Sequence, residues 1–388
     1  MRPHAAAALA CLAAQPLVAP SLVAPALFAP PLVALALAAP ASAETPLPAL
    51  SLEPGVTVSG LSSGAYMTVQ VQTAFSSRIT GAGVVAGGVY GCANGWPNRA
   101  LVALQKCMAQ TIGAPTAAGA EAEVAAMAAG GHIDDPAGLL DDRVYLYHGE
   151  SDETVHRPAM DALDAYYEAI GIPDAAANYV TDIDSGHAFL TPRGDVPCAT
   201  TEPDFLNDCD VAGADVDQAH DILAHLLGPL DPAGTPDPDR LLEFDQALYT
   251  GGAIGMDPKA YAYIPEACES GETCRLHIAF HGCKQGRSWP FASADGDVMG
   301  SRYPRLTGYN RWAESNRIVV LYPQAMAFPS SFLNLYNGNP DGCWDWWGYS
   351  DAQFAWWDVS GAGYLAKDAP QLAAIAAMAA ALGAPLTE

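Results

Sequence analysis

The sequence predicts an α/β fold: a mostly parallel central sheet with helices on both faces. Two observations carry that expectation. Short β-rich runs alternate with Ala-rich helical stretches along most of the chain, and several runs end in motifs dense in small and reactive residues. Those motifs occur in the order Gly60-Leu61-Ser62-Ser63-Gly64, His148-Gly149 with Asp152, Ser185-Gly186-His187 and His281-Gly282-Cys283. Reactive groups that follow strand ends are the placement expected of an open α/β sheet.

The first element is not part of the fold. Arg2 precedes a charge-free Ala/Leu/Val/Pro stretch that closes on Ala41-Ser42-Ala43, which reads as an export signal over residues 1–43. Pro20, Pro25, Pro30, Pro31 and Pro40 interrupt any spanning helix, so a membrane anchor is the weaker reading. Residues 44–388 are expected to form a single domain with no membrane span. The protein is expected to be secreted to the medium or a periplasm, and to be a monomer.

A β run at Gly55–Ser59 enters the first motif, and Ala65–Ser76 behind it is helical. Ala82–Val89 reads as a buried parallel strand, residues 117–130 as a helix, and Arg143–Tyr147 as the strand that delivers His148, Gly149 and Asp152. Ala177–Ile183 delivers His187. Residues 190–240 are rich in Pro and Asp and form an excursion with one amphipathic helix near Asp215–Leu227. Strands resume at Ala260–Ile264, Leu276–Phe280 and Arg317–Tyr322, and a last helix covers about Ala369–Leu382. That helix has no strand after it, while the strand near Val56 has no helix before it. The chain therefore reads as circularly permuted, with the two ends of the mature chain close together.

With 43 acidic and 17 basic residues the net charge is -26, which repels nucleic acid and anionic membrane surfaces. Cys11 leaves with the signal, and eight cysteines remain in an exported chain, which implies disulfides. Cys92 with Cys107, Cys198 with Cys209, and Cys268 with Cys274 are short loops to close, leaving Cys283 with Cys343. No Cys-x-x-Cys occurs and the histidines are scattered, so no metal site is expected. No cofactor is expected either.

The chemistry resides in the motifs. Gly-x-Ser-x-Gly between a strand and a helix is the context of a nucleophile elbow, which assigns Ser62 as nucleophile and turns the Ser63 amide toward an oxyanion. Asp152 can orient and stabilise an imidazolium, with Asp182 and Asp184 as substitutes. His187, in a polar loop after an apolar strand, is the base; His148 and His156 are the alternatives. Gly282 lets the chain turn so that the Cys283 amide can also face the oxyanion. Trp344, Trp346, Trp347 and Tyr349 are dense aromatics beside Cys343, some of them core, and any exposed near the serine would form an apolar wall.

Serine, acid and base in this order follow an α/β-hydrolase, but there the loop supplying half of the oxyanion hole precedes the nucleophile, and here it follows the whole triad. The motifs Gly-Leu-Ser62-Ser-Gly-Ala-Tyr-Met, His-Gly-x-x-Asp152-x-x-Val, Ser-Gly-His187, His-Gly-Cys283, Val-Leu-Tyr-Pro-Gln324 and Gly-Cys343-Trp-Asp-Trp-Trp-Gly-Tyr resemble the extracellular short-chain polyhydroxyalkanoate depolymerases. The likeness spans nearly the whole mature chain and is strongest toward the single-domain, circularly permuted fungal type. It implies a serine esterase acting on poly(3-hydroxybutyrate) or its oligomers. It also implies Ser62, Asp152 and His187 as triad, Ser63 and Cys283 as oxyanion amides, and a groove to which Trp347 and Tyr349 are the local matches. Many bacterial members carry an additional substrate-binding domain, for which the sequence shows no segment. The alternatives are an esterase for other polyesters, phenolic or small esters, and a non-catalytic granule- or surface-binding protein of the same fold.

Overall fold

The computed structural model describes residues 44–95, 98–290, 298–329, 338–350 and 363–387. The export signal expected over residues 1–43 lies outside them. Eight strands form the central sheet. In chain order they are β1 (Leu52–Leu61), β2 (Ile79–Val85), β3 (Arg143–Tyr147), β4 (Ala177–Val180), β5 (Leu241–Asp245), β6 (Lys259–Tyr263), β7 (Cys274–Phe280) and β8 (Ile318–Tyr322). Their spatial order is β5-β6-β8-β7-β1-β2-β3-β4. Only β6 runs antiparallel to its neighbours; β1 lies parallel between β7 and β2.

Counted from β5, that order becomes first, second, fourth, third and then fifth to eighth, the unpermuted order of an α/β-hydrolase. The break lies where the sequence placed it. The last helix, Pro370–Leu382, ends against the segment that enters β1, and the Leu50 amide donates to the Leu382 carbonyl at 2.9 Å.

Alternation along the buried strands divides the core in two. On β3, Val144 and Leu146 join one apolar cluster while Tyr145 and Tyr147 join the other. On β8, Val319 and Leu321 face the first, and Ile318, Val320 and Tyr322 the second. A period of two with both faces apolar is the pattern of a sheet covered on both sides. Helix α1 (Ser63–Ala74) and the last helix pack on the first face; Gln218–Leu227 packs on the second. Every residue of α1 is buried, so its polar groups find protein partners: Gln72 donates to Asp142 at 2.8 Å, and Gln70 donates to the Asp345 and Tyr364 carbonyls at 3.1 and 3.2 Å.

Three expectations shift. The strand read as Ala82–Val89 starts at Ile79 and stops at Val85, because Ala86 leaves the sheet with φ 53° and donates its amide to the Tyr147 carbonyl. The run read as Ala177–Ile183 ends at Val180. Leu241–Asp245, immediately after the excursion, is an additional edge strand, ahead of Ala260 where the strands were expected to resume.

Four disulfides join Cys92 to Cys107, Cys198 to Cys209, Cys268 to Cys274 and Cys283 to Cys343. No helix among the described residues is long and apolar enough to cross a membrane.

Candidate active site

Ser62 sits on the turn between β1 and α1 with φ 58° and ψ -120°, a strained conformation for a residue with a Cβ. Its amide donates to the Val85 carbonyl at 2.9 Å, which fastens the turn to β2. The flanking glycines are steric necessities. A Cβ on Gly60 would overlap the Gly64 carbonyl, and one on Gly64 would overlap the Phe280 and His281 carbonyls of β7 and its following loop. Strand, turn and neighbouring loop thus approach backbone to backbone.

The loops after β3 and β4 are tied together before either offers a side chain. The Glu150 and Ser151 amides donate to the Ile183 and Ser185 carbonyls at 2.9 and 3.0 Å, and Tyr147 and Ser185 hydroxyls lie 2.7 Å apart. Across this junction His187 Nδ1 lies 2.7 Å from Asp152 Oδ2. The other oxygen of Asp152 accepts from the Thr154 and Val155 amides at 2.8 and 3.1 Å. Burial alone would raise the Asp152 pKa. The charge attraction and hydrogen bond of His187, with the two amides, outweigh burial and hold the carboxyl below its ordinary value. A carboxylate at Nδ1 fixes the proton there and leaves Nε2 to act as base.

The alternatives lie elsewhere. Asp182 and Asp184 are exposed, and Asp184 accepts from the Ser151 hydroxyl. His148 binds the Val155 carbonyl through Nε2 at 2.8 Å, and neither His148 nor His156 lines the cavity into which Ser62 and His187 open.

That cavity has a volume of about 590 Å³ and a predominantly apolar wall. Gly282 and Cys283 border it beside Ser62; a Cβ on Gly282 would stand 3.4 Å from that of Ser62. Cys283–Cys343 ties this loop to the Trp-rich segment. Neither the Ser63 nor the Cys283 amide donates to a protein acceptor among the described residues. An unsatisfied amide on the cavity wall at Cys283 and another at the N-terminus of α1, next to Ser62, suit an oxyanion.

The aromatic wall differs from the expectation in one member. Trp347 lines the cavity, half-buried. Tyr349 does not: its ring is outside the cavity lining, and its hydroxyl donates to the Cys343 carbonyl at 2.8 Å and accepts from Gln371 at 2.9 Å. Tyr349 is a core residue because the Asp345 carboxylate gathers the Gly348, Tyr349 and Ser350 amides into a tight turn that points its ring inward. Two residues not singled out as groove members take its place. Trp346 and Tyr66, the latter one helical turn after Ser62, both line the cavity and stack with centroids 4.1 Å apart and planes 8° apart. Thr201, Pro203 and Phe205 of the excursion also line the cavity. Gln285 holds them in place, donating to the Asp204 carbonyl and accepting the Gly282 amide, each at 2.6 Å.

A hydroxyl on a strained turn and an imidazole oriented by a buried carboxylate, opening into one apolar cavity beside two amides that lack protein acceptors, can together perform acyl transfer through a covalent ester. No cluster of His, Cys, Asp or Glu suited to a metal occurs among the described residues.

No family model matches the chain. Over 340 residues it is 38% identical to the poly(3-hydroxybutyrate) depolymerase of Delftia acidovorans, a match covering 86% of this chain and 60% of that protein. Over 321 residues it is 36% identical to the polyhydroxybutyrate depolymerase of Talaromyces funiculosus, covering 79% of this chain and 86% of that protein. The crystal structure of PHB depolymerase from Penicillium funiculosum aligns with a TM-score of 0.73 at 32% identity, covering 87% of this chain and 98% of that one. A serine-to-alanine PHB depolymerase complexed with R3HB trimer aligns with the same TM-score of 0.73. The chain spans about 60% of the length of the bacterial relative.

Proposed function

From the premise that this chain belongs to the polyhydroxybutyrate depolymerase family, we propose that it is a secreted serine esterase that hydrolyses poly(3-hydroxybutyrate) or its oligomers. The observation that carries the reading is the Asp152–His187 hydrogen bond of 2.7 Å, which presents His187 to the same apolar cavity as Ser62. Residues 44–388 are the catalytic unit, and 1–43 its export signal. The disulfides and the export signal both fit an oxidising compartment.

In this reading Ser62 Oγ attacks the ester carbonyl while His187 Nε2 takes its proton, and the imidazolium is stabilised by ionised Asp152. The negative charge on the former carbonyl oxygen falls to the Ser63 and Cys283 amides. Collapse breaks the ester C–O bond, His187 returns the proton to the departing hydroxyl, and the acyl group remains on Ser62 until water, activated by His187, releases it as an acid. Tyr66, Trp346 and Trp347 give the methyl-bearing chain an apolar wall.

The test is a panel of poly(3-hydroxybutyrate) film, polycaprolactone, tributyrin and a phenolic ester, with fluorophosphonate labelling alongside. Clearing of the poly(3-hydroxybutyrate) film with label on Ser62 is expected. Label without cleavage of poly(3-hydroxybutyrate) or its oligomers would make it an esterase of another class. Absence of label would leave a binding protein.

A further inference from the structure

The cavity wall carries one lysine or arginine among its described residues, Lys284, and one carboxylate, Asp341. Lys284 immediately follows Cys283, whose amide faces the reacting carbonyl in the reading above. Its backbone has φ 64°, a conformation that glycine or asparagine adopts at lower cost. A long cationic side chain kept at a strained position beside a site points to a use for that side chain.

The loop is built to hold the residue there. The Lys284 amide donates to the Asp341 carbonyl at 2.7 Å, and Gln285 closes the turn by accepting the Gly282 amide at 2.6 Å. The ammonium is less constrained. It lies 3.8 Å from the Asp341 carboxylate, and the two side chains are 41% and 46% exposed. A pair this long and this open to water holds its partners weakly, so an incoming carboxylate can compete for the ammonium.

We propose that Lys284 is a specificity residue that binds the free carboxylate of the leaving segment, directing the enzyme to the carboxyl-terminal ester of soluble 3-hydroxyalkanoate oligomers. In such an ester only the ester oxygen, a methine and a methylene separate the scissile carbonyl from the terminal carboxylate. A group bound at the Cys283 amide therefore places that carboxylate within reach of the next residue. The net charge of -26 repels anionic oligomers at long range, so a cation inside the cavity is what lets an acid compete with a neutral ester.

This inference rests on the esterase reading, and its test separates the two. The 3-hydroxybutyrate trimer would be compared as free acid and as methyl ester, by product analysis at neutral pH. The wild type should favour the acid by about tenfold in kcat/KM, mainly through KM, and the preference should shrink as salt rises. Lys284→Gln should bring the ratio near unity, Lys284→Arg should retain it, and Lys284→Glu should invert it. A wild-type ratio of one, or a ratio unchanged in a Lys284→Gln protein of normal thermal midpoint, overturns the assignment while leaving the esterase intact. Failure to cleave either trimer, with no fluorophosphonate label, removes both.

Discussion

His281 Nδ1 lies 2.7 Å from the Gly282 carbonyl oxygen, and through that contact it orients the peptide plane whose other end is the Cys283 N–H. Its Nε2 accepts the Ala325 amide at 3.0 Å, so the donor at Nδ1 is fixed. Burial pushes its pKa down to about 4, and the ring stays neutral at working pH. Losing an oxyanion donor outright costs roughly 10²–10³ in kcat. His281→Leu, which frees the peptide without removing it, should cost about tenfold, in kcat with little change in KM. His281→Asn, whose amide nitrogen can replace Nδ1, should recover most of the loss. A loss confined to KM would make His281 a packing residue.

Ser62→Ala should abolish ester hydrolysis, on the order of the ~10⁶ lost with a triad nucleophile, and leave the thermal midpoint in place. Asp152→Asn should lose about 10⁴ by setting the wrong His187 tautomer. Steady-state rates on a soluble ester check both. A tolerant Asp152 with a sensitive Asp184 would move the acid role.

Trp347→Ala should slow hydrolysis of polymer more than that of a short p-nitrophenyl ester, since only a long chain reaches that wall. Tyr349→Ala should behave differently, lowering stability by roughly 3–5 kcal/mol because it empties a core position and strips the Cys343 carbonyl and Gln371 of a partner. Kinetics on the two substrates and a denaturation curve separate the two effects.

Asp142 gives a pH dependence of definite sign. Burial raises its carboxyl to about 7, against a hydrogen bond from Gln72 that lowers it. Between about pH 4 and 7 the folded state binds the extra proton, so this group makes stability fall as pH rises. His277 and His281, pushed down to about 3 and 4, act in the opposite sense, with stability falling as pH drops from about 6.5 toward those values. Asp142→Asn should therefore change the thermal midpoint more favourably at about pH 8 than at about pH 5. An effect independent of pH would mean that the Asp142 carboxyl titrates normally.

The Leu50–Leu382 hydrogen bond makes the permutation reversible by design. Joining the mature ends with a short linker and opening the chain within residues 232–238 should yield a folded, active enzyme in ordinary motif order. The new ends would put at risk one long-range bond, from the Gly234 amide to the Arg311 carbonyl at 2.8 Å. An inactive, insoluble product would show that the native chain order is needed to fold.

The parts of this protein that the sequence by itself determined are those that depend on local chemistry. The tight Gly-x-Ser-x-Gly turn, the β runs ahead of Asp152 and His187, the strand leading into His281-Gly282-Cys283 and the unmatched last helix were all legible, because periodicity and turn residues are properties of neighbours in the chain. Even the permutation was readable from motif order. Only the tertiary structure decided which aromatics meet the cavity. Trp346, Trp347 and Tyr349 are alike in sequence, but Trp346 and Trp347 border the cavity while Tyr349, in the turn whose amides the Asp345 carboxylate gathers, packs away from it. It also decided that Tyr66 stacks on Trp346, and that Thr201, Pro203 and Phe205 of the excursion and Lys284 line the same cavity as Ser62. Those relationships join residues far apart in the chain, and they are set by which surfaces close against one another, which composition and spacing do not encode.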